Sequence, residues 1–245
     1  MTHPTTDQGR LARMGFEDPE AANDCLHRLG DAVAEPLVAL IARTADPDLA
    51  LQRLVDLVEV QDDPAPMLRA LVDDEGTAMR LLSVLGASEA LADHLCRHPD
   101  HWRELTDPTM GSTRPAAYAV RESLLRSVGA EADDAPTATK PDDEAVDALR
   151  VEYRRLLLRL ASRDLTHHLG VDDAAAELSD LAAGTLDAAL AIARQRVGEP
   201  ARLARLAVVA MGKCGGHELN YVSDVDVIFV HEACLLYTSP SPRDS

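Results

Sequence analysis

"AVVAMGKCGGHELNYVSDVDVIFVHE", residues 207–232, departs in style from the chain around it. A short β-branched apolar run enters a cluster of glycines, Gly212, Gly215 and Gly216. A polar passage follows, and then Asp224 and Asp226, one residue apart, open a second apolar run. "RLAVVAMG" and "DVDVIFV" read as two buried strands joined by a glycine-rich turn, because both are short, apolar and rich in branched residues. In an extended strand the side chains at i and i+2 point to the same side. Asp224 and Asp226 are therefore expected on one face, with Val225 and Val227 turned the other way into a core.

Two ionised carboxylates that close repel each other unless a cation lies between them. Mg2+ takes carboxylate oxygens together with substrate phosphates, so the pair suits a metal-bound nucleotide. Glycines at Gly212, Gly215 and Gly216 let a backbone turn tightly and bring its amides against phosphate oxygens. Competing motifs fit worse. A P-loop needs GxxxxGK[ST], whereas Lys213 directly follows the first glycine and no lysine follows the pair. A dinucleotide fingerprint would open a helix, yet "HELNYVSD" leads into a strand. An EF-hand loop would need glycine where Phe229 stands. A solvated hairpin turn accounts for the same residues, and spacing alone does not separate it from a metal-nucleotide site.

Outward from this motif the pattern is helical. Asp18-Pro19, Asp46-Pro47 and Asp63-Pro64 each set an N-cap acceptor before a proline at the first helical position. "DLALQRLVDLVEV" puts Leu51, Leu54, Val55 and Val58 on one face, and Gly30 and Gly86 stand where helices should end. Residues 17–128 read as five or six short helices packed as a bundle. "GAEADDAPTATKPDDE", residues 129–144, is acidic, proline-bearing and without apolar period, which reads as a linker or mobile loop. A long amphipathic helix follows. Leu149, Tyr153, Leu156, Leu157 and Leu160 form its stripe, Arg150, Arg154, Arg155 and Arg163 lie largely off it in solvent, and Gly170 closes it. Of its arginines, Arg159 or Arg163 is the one expected in a structural salt bridge. Residues 172–198 form a further helix ending at Gly198. The tail "CLLYTSPSPRDS", residues 234–245, crowds Ser and Pro and reads as non-native sequence.

The net charge of −18 argues against a nucleic-acid surface, which needs clustered Lys and Arg. Cys25, Cys96, Cys214 and Cys234 lack metal or disulfide spacing and fit a reducing compartment. No signal peptide or membrane-length apolar run is visible, so a cytoplasmic protein without membrane partners is expected. His94, Cys96, His98 and His101 have a spacing that zinc could use, but a helix-end cluster accounts for them without a metal. His167-His168 fits a helix C-terminus, where the dipole favours histidine.

"GKCGGHELNYVSDVDVIF" resembles the signature of the glutamine synthetase adenylyltransferase/adenylyl-removing enzymes, within the DNA polymerase β-like nucleotidyltransferase superfamily. "LRVEYRRLLLRLASRDL", "ELSDLA", "GFEDPEAA" and "HPDHWREL" extend the likeness over most of residues 15–232, and "MGKCG" with "ELNYVSDVDVIFV" resembles the actinobacterial form. The resemblance implies a mainly α chain. An N-terminal helical bundle (1–128) and the acidic linker or loop (129–144) would lead into the first two strands of a truncated α/β nucleotidyltransferase core (145–232), with a non-native tail at 233–245. It implies that Asp224 and Asp226 are catalytic and hold Mg2+, and that Gly212, Lys213, Gly215, Gly216 and Ser223 meet nucleotide or phosphate; Ser223 otherwise serves as a plain turn hydroxyl. In such enzymes the N-terminal domain removes AMP from adenylyl-tyrosine of glutamine synthetase, orthophosphate giving ADP, and a C-terminal domain adenylylates from ATP. Glutamine synthetase would be the protein substrate and a nitrogen-signalling protein a regulator. The superfamily's third acidic residue comes from a later strand that this sequence does not reach, so the chain alone is expected to be inactive. Two other readings stay open: a helical interaction module with an incidental DxD, and a domain running the adenylylating direction.

Overall fold

A computed structural model describes residues 7–107, 110, 114–199, 201 and 205–232. The expected tail at 233–245, with Cys234, lies outside the described residues. The fold is mainly α with one two-stranded antiparallel sheet among the described residues.

Aspartate caps start several of the helices. After α1 (Asp7–Arg13), α2 (Pro19–Leu29) begins at Asp18, whose carboxylate accepts the Ala21 N–H at 3.0 Å. Gly30, at φ +82°, ends α2 and at once begins α3 (Asp31–Ile41). Asp46 starts α4 (Pro47–Glu59) in the same way as Asp18, accepting from Leu49 N at 2.9 Å. Asp63 accepts from Ala65 N, and α5 (Ala65–Asp73) starts one residue beyond Pro64. Asp74 closes α5 and caps α6 (Glu75–Leu85), which stops at Gly86. Ser88 caps α7 (Glu89–Arg97), and a 3-10 helix (Pro99–Thr106) follows. Residues 17–128 thus hold more elements than the five or six short helices expected. Gly30 and Asp74 each serve two helices with one residue, leaving no loop-like gap for a sequence pattern to show.

The remaining elements are α8 (Ala117–Ser127), α9 (Asp142–Leu165), α10 (Val171–Val197), β1 (Arg205–Ala210), the single turn α11 (Gly212–Gly215) and β2 (Val227–Glu232). They belong to two compact units. The first holds residues up to 113 together with 157–170, and the second holds 114–156 and the chain from 171.

In the first unit Leu37, Ile41, Leu54, Leu57, Met67 and Leu82 are fully buried. Leu51, Leu54 and Val55 of α4 join that core and Val58 packs against it, as their spacing predicts. The last turns of α9 add Leu158 and Ala161. Arg159 there binds Glu104 at 2.8 Å and Asp107 at 3.0 Å, and Arg163 is 4% exposed with its Nε donating to the Arg159 carbonyl. Arg159 makes the structural bridge, and Arg163 is buried rather than solvated. One apolar stripe does not describe a helix whose end is enclosed by a core on several sides. The helix also stops at Leu165 ahead of Gly170, with His167 taking the left-handed conformation at φ 60°.

In the second unit α8 packs on α10, and the contact closes at Gly184. A Cβ there would lie 2.8 Å from Leu124 Cδ1 and 3.2 Å from Arg121 Cα. Sequence order put α8 with the preceding helices; packing puts it with α10, because Val120, Leu124 and Leu125 bury themselves in this unit. The acidic loop is pinned rather than loose. Ala138 N donates to Ala191 O, Arg194 to Pro136 O and Gln195 to Lys140 O, and Ala138 is 3% exposed. Arg155 binds Glu152, which also takes a hydrogen bond from Ser123, so this arginine is not simply solvated either.

In the sheet Ala210 pairs with Val227, Val208 with Phe229 and Leu206 with His231. Leu206, Val208 and Ala210 are half-buried on one face. Ile228, Phe229 and Val230 are 49, 63 and 53% exposed, so the expectation of buried strands fails. An isolated pair of strands has two faces and two edges, and the described residues do not cover them all.

Candidate functional site

Beyond Ala210 the chain turns through α11 rather than through the plain turn expected. Two of its glycines are required by geometry. Gly212 has φ +53°, the left-handed region that disfavours a side chain, and a Cβ on Gly215 would meet the Ala210 carbonyl oxygen at 2.4 Å. Gly216 has an ordinary φ of −84° and more room. The Gly215 and Gly216 amides donate to Met211 O and Gly212 O, so both are committed inside the turn. The amides of Gly212, Lys213 and Cys214 form the first helical turn, whose N–H groups have no acceptor within a helix. Lys213 is exposed and carries no ion pair among the described residues.

Asp226 meets this turn directly. Its carbonyl accepts the Met211 N–H at 2.8 Å, which continues the ladder one pair past Ala210 and Val227. Its Oδ2 lies 3.4 Å from where a Gly212 Cβ would stand. A side chain at that position would crowd the carboxylate. Asp224 and Ser223 lie in the approach, Asp224 exposed and Ser223 half-buried. Both aspartates precede β2 instead of lying within it; Val227 turns partly inward as expected, but Val225 is exposed rather than turned into a core, because it lies ahead of the paired strand. The structure therefore brings Gly212 and Asp226 together, with Lys213 the next residue of the turn and Asp224 two residues ahead of that contact.

The turn is fastened to α10. Cys214 and Leu219 are buried, and burial pushes the Cys214 thiol pKa up. Leu219 N donates to Ser179 Oγ at 3.4 Å, and His217 Nδ1 stands 3.8 Å from Asp180 Oδ1. Sequence reading passed over Ser179, Asp180 and His217. The one signal for them was a polar pair inside the apolar run "ELSDLAAG", at a helix position that turns out to be buried.

Both carboxylates offer hard oxygen ligands at an open strand end, a donor set that fits Mg2+ shared with phosphate and water. Among the described residues no group of three or more His, Cys, Asp or Glu side chains is arranged to hold a metal. In the first unit His94, His98 and His101 do cluster, with His94 Nε2 2.9 Å from His101 Nδ1 and ring centroids 5.0–5.5 Å apart. Among the described residues, no helix is long and apolar enough to cross a membrane.

A family model described as glutamate-ammonia ligase adenylyltransferase matches residues 78–238, most of the chain, including the turn and both aspartates. The chain belongs to this adenylyltransferase family. It is 48% identical over 229 residues to a bifunctional glutamine synthetase adenylyltransferase/adenylyl-removing enzyme of Streptomyces avermitilis. It is 49% identical over 230 residues to one of Streptomyces coelicolor, and 41% identical over 249 residues to one of Mycolicibacterium smegmatis. These alignments cover 91 to 94% of the chain but only 21 to 23% of each relative, so the adenylyltransferase relatives are several times longer. The family match also runs past residue 232, into the stretch read above as non-native.

Proposed function

We propose that residues 205–232 form the phosphate- and cation-gripping end of an adenylyl-transfer site that acts on glutamine synthetase. The observation that carries this reading is the Asp226 carboxylate resting against Gly212, the residue before the exposed Lys213. A carboxylate that can hold a cation thus rests against the glycine that precedes a lysine able to meet phosphate. Asp224 and Asp226 are the residues that would hold Mg2+, which when bound supplies charge neutralisation at phosphate oxygens. The chain's own groups orient the anion. Lys213 faces it as a point charge, the first-turn amides of Gly212 and Lys213 donate to it, and Ser223 sits at the entry to the strand. Gly212 leaves the space through which phosphate approaches the carboxylates.

The reaction is the removal of AMP from adenylyl-tyrosine by orthophosphate: a phosphate oxygen bonds to the adenylyl phosphorus, the bond from that phosphorus to the tyrosyl oxygen breaks, the tyrosine oxygen takes up the proton orthophosphate gives up, and ADP and tyrosine are the products. The names of the relatives, which include an adenylyl-removing activity, support it.

Mn2+ serves as the test, since it replaces Mg2+ at oxygen sites and broadens nearby nuclear resonances. It should broaden the amides of residues 211–214 and 224–227 first, and the Asp224→Asn, Asp226→Asn double variant should abolish that selectivity. Broadening spread evenly over the acidic surface, or unchanged in the double variant, would refute the site. In a longer protein carrying this region, an assay with phosphate and separately with ATP decides the direction.

A further inference from the structure

Asp180 stands mid-way along α10 at 6% exposure, where a carboxylate is costly unless partnered. Its nitrogen-bearing neighbours come from two separate segments. Arg114 Nε is 3.6 Å from Oδ2 and His217 Nδ1 is 3.8 Å from Oδ1. Among the described residues Oδ2 accepts no hydrogen bond, so it meets Arg114 as a charge contact. The preceding residue, Ser179, accepts the Leu219 N–H. Consecutive side chains of α10 thus hold both ends of the stretch 217–219.

What they hold is strained. His217 has φ 57°, a left-handed conformation that a non-glycine residue keeps only when its surroundings impose it. The strain is tied to the glycine turn by backbone bonds, His217 N to Cys214 O at 3.3 Å and Glu218 N to Lys213 O at 2.8 Å. From Lys213 the next contact is Gly212 against Asp226.

We infer that Asp180 is a positioning residue: through His217 it holds the glycine turn in the one conformation that sets Gly212 and Lys213 beside Asp226. Its functional half rests on the cation-and-phosphate reading of that turn; its mechanical half does not. Arg114 gives the buried acid a facing cation, and Ser179 fixes the far end of the strained stretch.

The test uses the whole chain with two readouts, amide hydrogen exchange and Mn2+ affinity by relaxation. Asp180→Asn should speed exchange of the Gly215–Leu219 amides about tenfold and weaken Mn2+ binding by about tenfold, the size typical of residues that orient metal ligands. The α8 amides should keep their protection. Asp187→Asn makes the same charge change on the same helix, where Asp187 pairs with Arg121, and should leave the turn unaltered. His217 is largely exposed, so its variants do not threaten folding. His217→Ala should reproduce the Asp180→Asn effect. His217→Asn, which tolerates the left-handed backbone and can donate to Asp180, should restore most of both readouts. Unchanged turn exchange in Asp180→Asn overturns the inference, as does identical behaviour of His217→Ala and His217→Asn. Faster turn exchange in a chain whose wild type shows no selective Mn2+ site leaves the latch standing and removes the functional reading. If Asp180→Asn loses α8 protection as well, the His217 pair decides.

Discussion

Replacing each glycine of the turn by alanine asks whether its shape is imposed by backbone geometry, and the expected costs are graded. At Gly215 the new Cβ would lie 2.4 Å from the Ala210 oxygen, whereas a relaxed carbon–oxygen approach is about 3.3 Å, so the turn must open by about 0.9 Å. The obstacle is backbone and cannot rotate away. It is flanked by the Gly215 N to Met211 O bond at 3.1 Å and the Met211 N to Asp226 O bond at 2.8 Å, and losing either costs about 1–3 kcal/mol. That corresponds to roughly tenfold to hundredfold faster opening of the turn. At Gly212 the cost is conformational, about 1–2 kcal/mol for a side chain at φ +53°. At Gly216 the φ of −84° is ordinary and the nearest atom, Gly212 O, is 3.4 Å away, so the change should stay within about 0.5 kcal/mol. Amide exchange of residues 214–219, read with Mn2+ affinity, measures the series. The expected order is Gly215→Ala worst, Gly212→Ala intermediate and Gly216→Ala near wild type. A Gly216→Ala variant as damaged as Gly215→Ala would refute the reasoning, because flexibility in general rather than two specific contacts would then be what the turn requires.

Other outcomes follow from the two units. Arg159→Leu should destabilise the first unit by about 2–3 kcal/mol in thermal unfolding, because it leaves the partly buried Glu104 and Asp107 without their shared cation. Asp74→Ala removes the α6 cap and should cost about 1 kcal/mol in urea unfolding. The Thr77 hydroxyl, with backbone N–H groups, holds the Asp74 carboxyl below its usual range. Its stabilising effect is therefore complete above the unfolded pKa of about 3.9 and fades as pH falls through the lower folded value, so wild type and variant should converge only in strong acid. Gly184→Ala should destabilise the second unit although alanine is the better helix former by about 1 kcal/mol, since its Cβ would press on Leu124 and on the Arg121 backbone. A more stable Gly184→Ala variant in the same unfolding assay would show that α8 and α10 do not pack at that point.

By itself the sequence determined what local chemistry determines: helices started by Asp18 and Asp46, the buried face of α4, stops at Gly30 and Gly86, and a glycine turn followed by two aspartates. Each of these is written within a few consecutive residues. Only the tertiary structure decided that α8 joins α10 at Gly184, that the acidic loop is pinned at Ala138, that Arg163 is buried, and that β2 stays exposed. It also decided that Asp180 and Ser179 reach the turn from 40 residues away in the case of Ser179 and Leu219. Local patterns report which face of an element is apolar, but the partner of that face is chosen by packing between distant segments, and no short window of residues contains both sides of that contact.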